Sequence, residues 1–165
     1  MTRHLLVILL LFAALDPAAV EAQTIFVVRH AERTGEPDPP LNADGKRRAE
    51  ALSRLLADAG VYNFYTSEAI RARQTAEPTA RQANRTIEVV EATAIAELVA
   101  RVRQTADPAR PTLIVGHRAT VPRIVKALGG GEIPALRADE HDRLIVLTLL
   151  PGGAASVITL RYSQY

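Results

Sequence analysis

The 165-residue chain has no cysteine and no tryptophan, a single methionine and only 4% aromatic residues. Without a thiol there can be no disulfide, no thiolate nucleophile, no Cys-based metal site and no lipid-modified cysteine anchor. A domain of this length buries enough surface to fold without cross-links. An excess of one charge is missing too: 20 Lys+Arg face 18 Asp+Glu, a formal +2. Nucleic-acid binders carry a basic stripe, commonly with aromatics, so no nucleic-acid partner is expected. What is present, 48% apolar and 23% charged residues, suits a folded domain rather than a disordered one.

The longest apolar run, Leu5 to Leu15, is too short to span a bilayer comfortably. It follows Arg3 and His4 and precedes Val20-Glu21-Ala22, a small-x-small cleavage pattern. That is the layout of a secretory signal peptide over residues 1–22. The expectation is a protein exported to the periplasm or medium, cleaved after Ala22, with no stable membrane insertion afterwards. Residues 23–165 then form one domain carrying 19 Lys+Arg against 16 Asp+Glu.

From Gln23 onward, short apolar runs alternate with helical patterns. Ile25 to Val28 reads as a strand buried on both faces. The Pro-rich stretch from 34 to 40 is a loop. Asn42 is a plausible N-cap for a helix whose stripe is Ala49, Leu52, Leu55, Leu56 and Ala59, with Gly60 as its stop. A second strand is expected over 61–65. Ser67 is expected to cap the helix after it, which Pro78 should bend or interrupt. Ile87 to Val90 is a third strand, and Ile95, Leu98, Val99 and Val102 mark a third helix. Thr112 to Val115 is a fourth strand, and Thr120 and Pro122 open a helix ending at the glycines 129–131. Leu144 to Leu150 and Ser156 to Tyr162 are two closing strands that can pair as a hairpin. The pattern implies an α/β domain with a mostly parallel sheet and an antiparallel edge.

Ligands of open parallel sheets bind beyond the carboxyl ends of the strands. Arg29-His30 follows the first strand, Thr66-Ser67 leads from the second into the helix carrying Arg71, and His117 follows the Thr112 to Val115 strand. Two imidazoles and two guanidiniums are thus brought to one sheet edge. Such a set suits a dianionic phosphoryl group: arginine forks bind its oxygens, one neutral imidazole can attack phosphorus, and another can hold an oxygen.

Together, "VVRHAER", "LNADGKRRAEAL", "FYTSEAIRARQTA" and "LIVGHRATVP" resemble the histidine phosphatase superfamily, in the branch that includes cofactor-dependent phosphoglycerate mutases. The resemblance extends from about Thr24 to Arg161. It implies a three-layer α/β/α sandwich, with His30 as the nucleophile that becomes phosphohistidine. Arg29, Arg71 and His117 would surround the phosphoryl oxygens of a small phosphorylated substrate. No metal or organic cofactor is implied. A non-catalytic phosphate-binding module with the same pocket is the rival reading, and a mutase-type phosphotransferase a further one.

The sequence departs from the family in two places. The motif usually reads Arg-His-Gly, and Ala31 stands at the third position, where alanine narrows the available backbone angles. The Trp-Glu-Gly-type segment that supplies an acid to the leaving group is missing. Glu91 is the first candidate for that acid, with Glu97 and Asp142 behind it. Arg33 could line the pocket or pair with Glu36. Lys46-Arg47-Arg48 reads as a solvated helix face, and Arg73, two positions from Arg71, points elsewhere. His141 lies among Asp139, Glu140 and Asp142, but with no second histidine nearby a metal site is not expected.

Overall fold

The computed structural model describes residues 22–35, 37–150 and 152–163. All but the last residue of the expected leader lies outside the described residues. Six strands form one sheet in the order β3-β2-β4-β1-β5-β6. They are β1 (Gln23–Arg29), β2 (Asn63–Thr66), β3 (Glu88–Val89), β4 (Thr112–Gly116), β5 (Arg143–Leu149) and β6 (Ala155–Arg161). Strands β1 to β4 run parallel, and β5 and β6 form the antiparallel edge. The helices are α1 (Ala43–Leu55), α2 (Ile70–Gln82), α3 (Ile95–Gln104) and α4 (Val121–Val125), the last extended by a wider turn over Lys126–Gly130.

Strand alternation divides the core. Ile25, Val27, Tyr65 and Ile114 pack with α3 and α4 through Leu98, Val102, Val121 and Ile124. Val28, Phe64, Leu113 and Val115 face the other way, onto Leu52 of α1 and Ala72, Ala76 and Ala80 of α2. The result is the three-layer α/β/α sandwich. Every residue of β4 is buried, as a central strand covered on both faces must be. Each fully buried Ile, Val or Leu stabilises the fold by roughly 1.5–3 kcal/mol. Among the described residues, no helix is long and apolar enough to cross a membrane.

Several local expectations need correction. Pro78 does not interrupt α2, which runs unbroken to Gln82. Buried Ala72, Thr75, Ala76, Thr79 and Ala80 hold the helix to the sheet on both sides of the proline, and that packing outweighs the lost backbone bond. Ser67 does not cap α2: the helix starts three residues later, at Ile70, without a side-chain cap. Leu55 is 51% exposed and leaves the core stripe to its neighbours. The third strand shrinks to Glu88 and Val89, both exposed. Asn42 does cap α1, its side chain accepting from the Gly45 N–H at 2.9 Å.

Ala31 is fully buried against Leu41 and Ala49. Its φ is not positive; among the described non-glycine residues only Asn84 has a positive φ. The position therefore accepts alanine without strain. Glycine is required instead at Gly45, where a Cβ would lie 2.1 Å from the Glu32 carbonyl oxygen. The start of α1 thus rests directly on the chain leaving β1.

Candidate active site

The Arg29-His30 step is held beyond the end of β1. The His30 N–H donates to the Gly116 carbonyl at 2.9 Å, which extends the β1–β4 pairing by one residue. The next amide, Ala31 N–H, donates to Thr75 Oγ1 at 2.9 Å, and that hydroxyl donates to the Arg71 carbonyl at 2.8 Å. One hydroxyl therefore couples the exit of β1 to the first turn of α2. Sequence reasoning missed Thr75, whose buried position reads as core.

His30 is 4% exposed. Its Nδ1 lies 2.8 Å from the Ala31 carbonyl. A carbonyl can only accept, so Nδ1 carries the hydrogen and Nε2 keeps its lone pair. Burial pushes the imidazole pKa down to about 3, against the pull of the Ala31 carbonyl and with help from His117, Arg29 and Arg71. His30 is thus a neutral imidazole with a defined tautomer. The His117 ring is edge-on to it, with centroids 5.2 Å apart. His117 is also shifted down, by burial first and then by Arg71, with Glu68 opposing.

Ser67 Oγ sits 2.7 Å from His117 Nε2 and accepts from the Ala69 N–H at 3.3 Å. The residue expected as a cap is therefore a partner of the second histidine. Arg29 donates through Nη1 to the carbonyls of Arg137, Ala138 and Glu140 at 3.1, 2.9 and 3.0 Å. Arg71 donates through Nη1 to Asp38 Oδ1 at 2.8 Å. In both arginines Nε is buried and without a partner among the described residues. Each thus has one Nη1 occupied by protein and a buried N–H without a hydrogen-bond acceptor, costly unless an anion supplies it.

The structure brings Arg29, His30, Arg71 and His117 to one sheet edge, as the strand-end positions predict. Glu91 is exposed and lines a small hollow beside Ser67 and His117. Its neighbour Ala92 is pinned by Glu68, whose Oε2 accepts the Ala92 N–H at 2.9 Å. Glu97 is paired with Arg101 and Asp142 with Arg161. Arg33 donates to the Gly35 carbonyl, and the alternative partner Glu36 lies outside the described residues.

Two more readings change. Arg48 is not part of a solvated face: its side chain is 11% exposed, and Nη2 pairs with Glu32 Oε1 at 2.6 Å. That also accounts for Glu32, whose half-buried carboxyl is held below the usual range by the Arg48 bond against the opposing effect of burial. His141 sits in the site itself, its Nδ1 2.8 Å from the His30 carbonyl and its ring 5.7 Å from the His30 ring. The acids around it are committed to arginines, Asp139 to Arg137 and Glu140 to Arg143 and Arg161. No signal in the sequence distinguished His141 from a surface residue, because its partner is a backbone carbonyl 111 positions away.

The model of the histidine phosphatase superfamily (branch 1) matches residues 25–99, which include both arginines and His30. This is a histidine phosphatase fold. A Nakamurella multipartitia protein provisionally named phosphohistidine phosphatase SixA superposes with a TM-score of 0.68 at 23% identity, over 86% of this chain and 96% of its own. The protein histidine phosphatase SixA complexed with tungstate gives 0.67 at 20%, over 84% and 97%. A mycobacterial glucosyl-3-phosphoglycerate phosphatase with inorganic phosphate gives 0.67 at 15%, over 87% and 100%. No curated protein sequence matches the chain. The histidine phosphatase architecture thus covers nearly all the described chain, including β4 to β6, beyond the reach of the family match.

Proposed function

We propose that this chain is an exported phosphomonoester hydrolase that works through a phosphohistidine on His30. The observation that carries the proposal is His30 itself, buried and neutral, with its Nδ1–H committed to the Ala31 carbonyl. Nε2 attacks phosphorus and forms the N–P bond as the P–O bond to the alcohol breaks. Arg29, Arg71 and His117 hold the phosphoryl oxygens, with the two unpartnered Nε–H groups among the donors. The departing alkoxide takes a proton from Glu91. Water then gives a proton back to that carboxylate and attacks phosphorus, the N–P bond breaks, and phosphate leaves. Solved neighbours of the same fold carry tungstate or inorganic phosphate, which supports an oxyanion as the ligand class.

Export rests on the leader pattern of residues 1–22, and it places the enzyme outside the cytosolic sugar-phosphate pool. A small ester or an envelope sugar phosphate is the favoured substrate class. The mature protein should begin at Gln23, and an intact Met1 start in the native host would count against cleavage there.

Turnover of an activated aryl phosphate tests the chemistry. His30→Ala should abolish it in a folded protein, and acid-labile, base-stable phosphate should be trapped on wild-type His30. Glu91→Gln should slow esters with poor leaving groups more than the activated one, for which only hydrolysis of the phosphohistidine uses the carboxylate. If the wild type binds phosphate but turns over no ester, the chain is a phosphate-binding module instead.

A further inference from the structure

The segment between the 129–131 glycines and β5 has no regular secondary structure over residues 132–142 apart from one turn, yet its far end touches both members of the Arg29-His30 pair. Three consecutive-neighbourhood carbonyls, those of Arg137, Ala138 and Glu140, converge on a single nitrogen of Arg29. One residue further on, His141 donates from Nδ1 to the His30 carbonyl at 2.8 Å. Carbonyl dipoles repel one another, so an irregular segment does not keep three of them aimed at one point unless something closes it.

Glu140 closes it. Its side chain is 1% exposed. Oε2 accepts the Arg137 N–H at 2.9 Å, which folds the turn onto its own side chain. Oε1 accepts from Arg143 Nε at 2.7 Å and from Arg161 Nη2 at 2.9 Å, tying the turn to the start of β5 and the end of β6. Arg143 Nη1 reaches back to the Pro134 carbonyl at 2.7 Å. Burial alone would raise the carboxyl's pKa, but these donors hold it down at about 2. Glu140 is therefore a buried carboxylate with charge-assisted bonds from three directions.

We infer that residues 137–142 are a positioning element for the phosphoryl-binding pair, with Glu140 shaping the carbonyl cage that orients Arg29 and His141 holding the His30 backbone. The inference rests on the phosphoryl-binding reading of the site. The cage grips Arg29 with neutral dipoles rather than a carboxylate, so the guanidinium is oriented while its full charge stays available to the anion. The competing role is a structural one, in which Glu140 merely fastens the β5–β6 hairpin.

Vanadate and inorganic phosphate binding, followed by calorimetry on the folded full chain, separate the two roles without requiring turnover. Glu140→Gln should weaken binding on the order of tenfold, and in an Arg29→Ala background the same substitution should change nothing further. Equal losses in both backgrounds, or stability lost with affinity intact, would overturn the inference. Should Glu140→Gln fail to fold, Arg161→Gln removes one anchor from an arginine that is 51% exposed, and the same coupling to Arg29 is required of it.

For His141, asparagine keeps a donor near the Nδ1 position and leucine removes it. His141→Leu should lower kcat with aryl phosphate severalfold, and His141→Asn should restore most of the loss without altering the pH profile. If asparagine fails to rescue, or shifts the profile as leucine does, Nε2 takes part in the chemistry and the positioning role falls. Absence of any phosphate or vanadate binding by the wild type would instead sink the proposed function, leaving a different signature from the failure of this inference.

Discussion

Arg29 and Arg71 are the same side chain in the same proposed task, yet the protein holds them in opposite ways. Arg29 is tied by three backbone carbonyls on a segment locked by a buried carboxylate. Arg71 is tied by Asp38, a carboxylate 43% exposed on the Pro-rich loop. A carbonyl cage orients a cation without neutralising it, whereas a carboxylate competes with an incoming phosphoryl group for the same charge. One half of the site is therefore preorganised, and the other must exchange a protein anion for a substrate anion. Both leave an N–H buried and, among the described residues, unpartnered.

Lysine substitution should break the comparison most sharply. Arg29→Lys loses both the cage and the fork, and kcat/KM for an aryl phosphate should fall on the order of 100- to 1000-fold. Arg71→Lys keeps an ion pair with Asp38 and should cost only about tenfold. Equal losses would mean that the two grips are equivalent.

Next in size is the support beneath the Arg29 half. In Gly45→Ala the new methyl would meet the Glu32 carbonyl oxygen at 2.1 Å, a backbone atom that has to move. Stability measured by urea unfolding should drop by about 1–3 kcal/mol, with activity falling alongside. An unchanged midpoint would show that α1 can back away from β1 freely.

The pH dependence of stability follows from His30. Its pKa is near 3 in the folded protein against an ordinary 6.5, so between those values the unfolded chain binds the extra proton. Stability is therefore fully present above pH 6.5 and is lost as pH falls, by up to about 1.4 kcal/mol per unit from this group. His117 and His141 are shifted the same way, chiefly by burial, and add to the slope. Urea melts from pH 7 to 5 should show the loss, and His30→Asn should flatten it; an unaltered slope would place the titration elsewhere.

The smallest effect belongs to the exchangeable half. Asp38→Asn removes the competing charge from Arg71, and the KM for phosphate esters should fall about threefold at low salt, less at high salt. A rise in KM would mean that Asp38 orients Arg71 more than it competes.

The placement of the residues of the proposed phosphoryl pocket was legible because strand ends have an address. A two-sided apolar run stops where the chain leaves the sheet, so Arg29, His30 and His117 declare their place by following Val28 and Val115. Arg71 was reached by counting from Ser67 and from the family motif, although Ser67 itself proved to serve His117 rather than the helix. Glu91 was found at the cleft, but nothing in a sequence tells an exposed carboxylate near a site from one elsewhere.

The sequence by itself determined the strand-helix alternation, a mostly parallel sheet covered by helices and the strand-end positions of both histidines, since each follows from local hydrophobic period and chain direction. Only the tertiary structure decided how those groups are held. The cage on Arg29, the Asp38 partner of Arg71, the Thr75 link and the seat of His141 all join residues 33 to 111 positions apart. Such contacts depend on where loops land after the sheet has formed, and that information is carried by packing and backbone carbonyls, which have no residue-type signature.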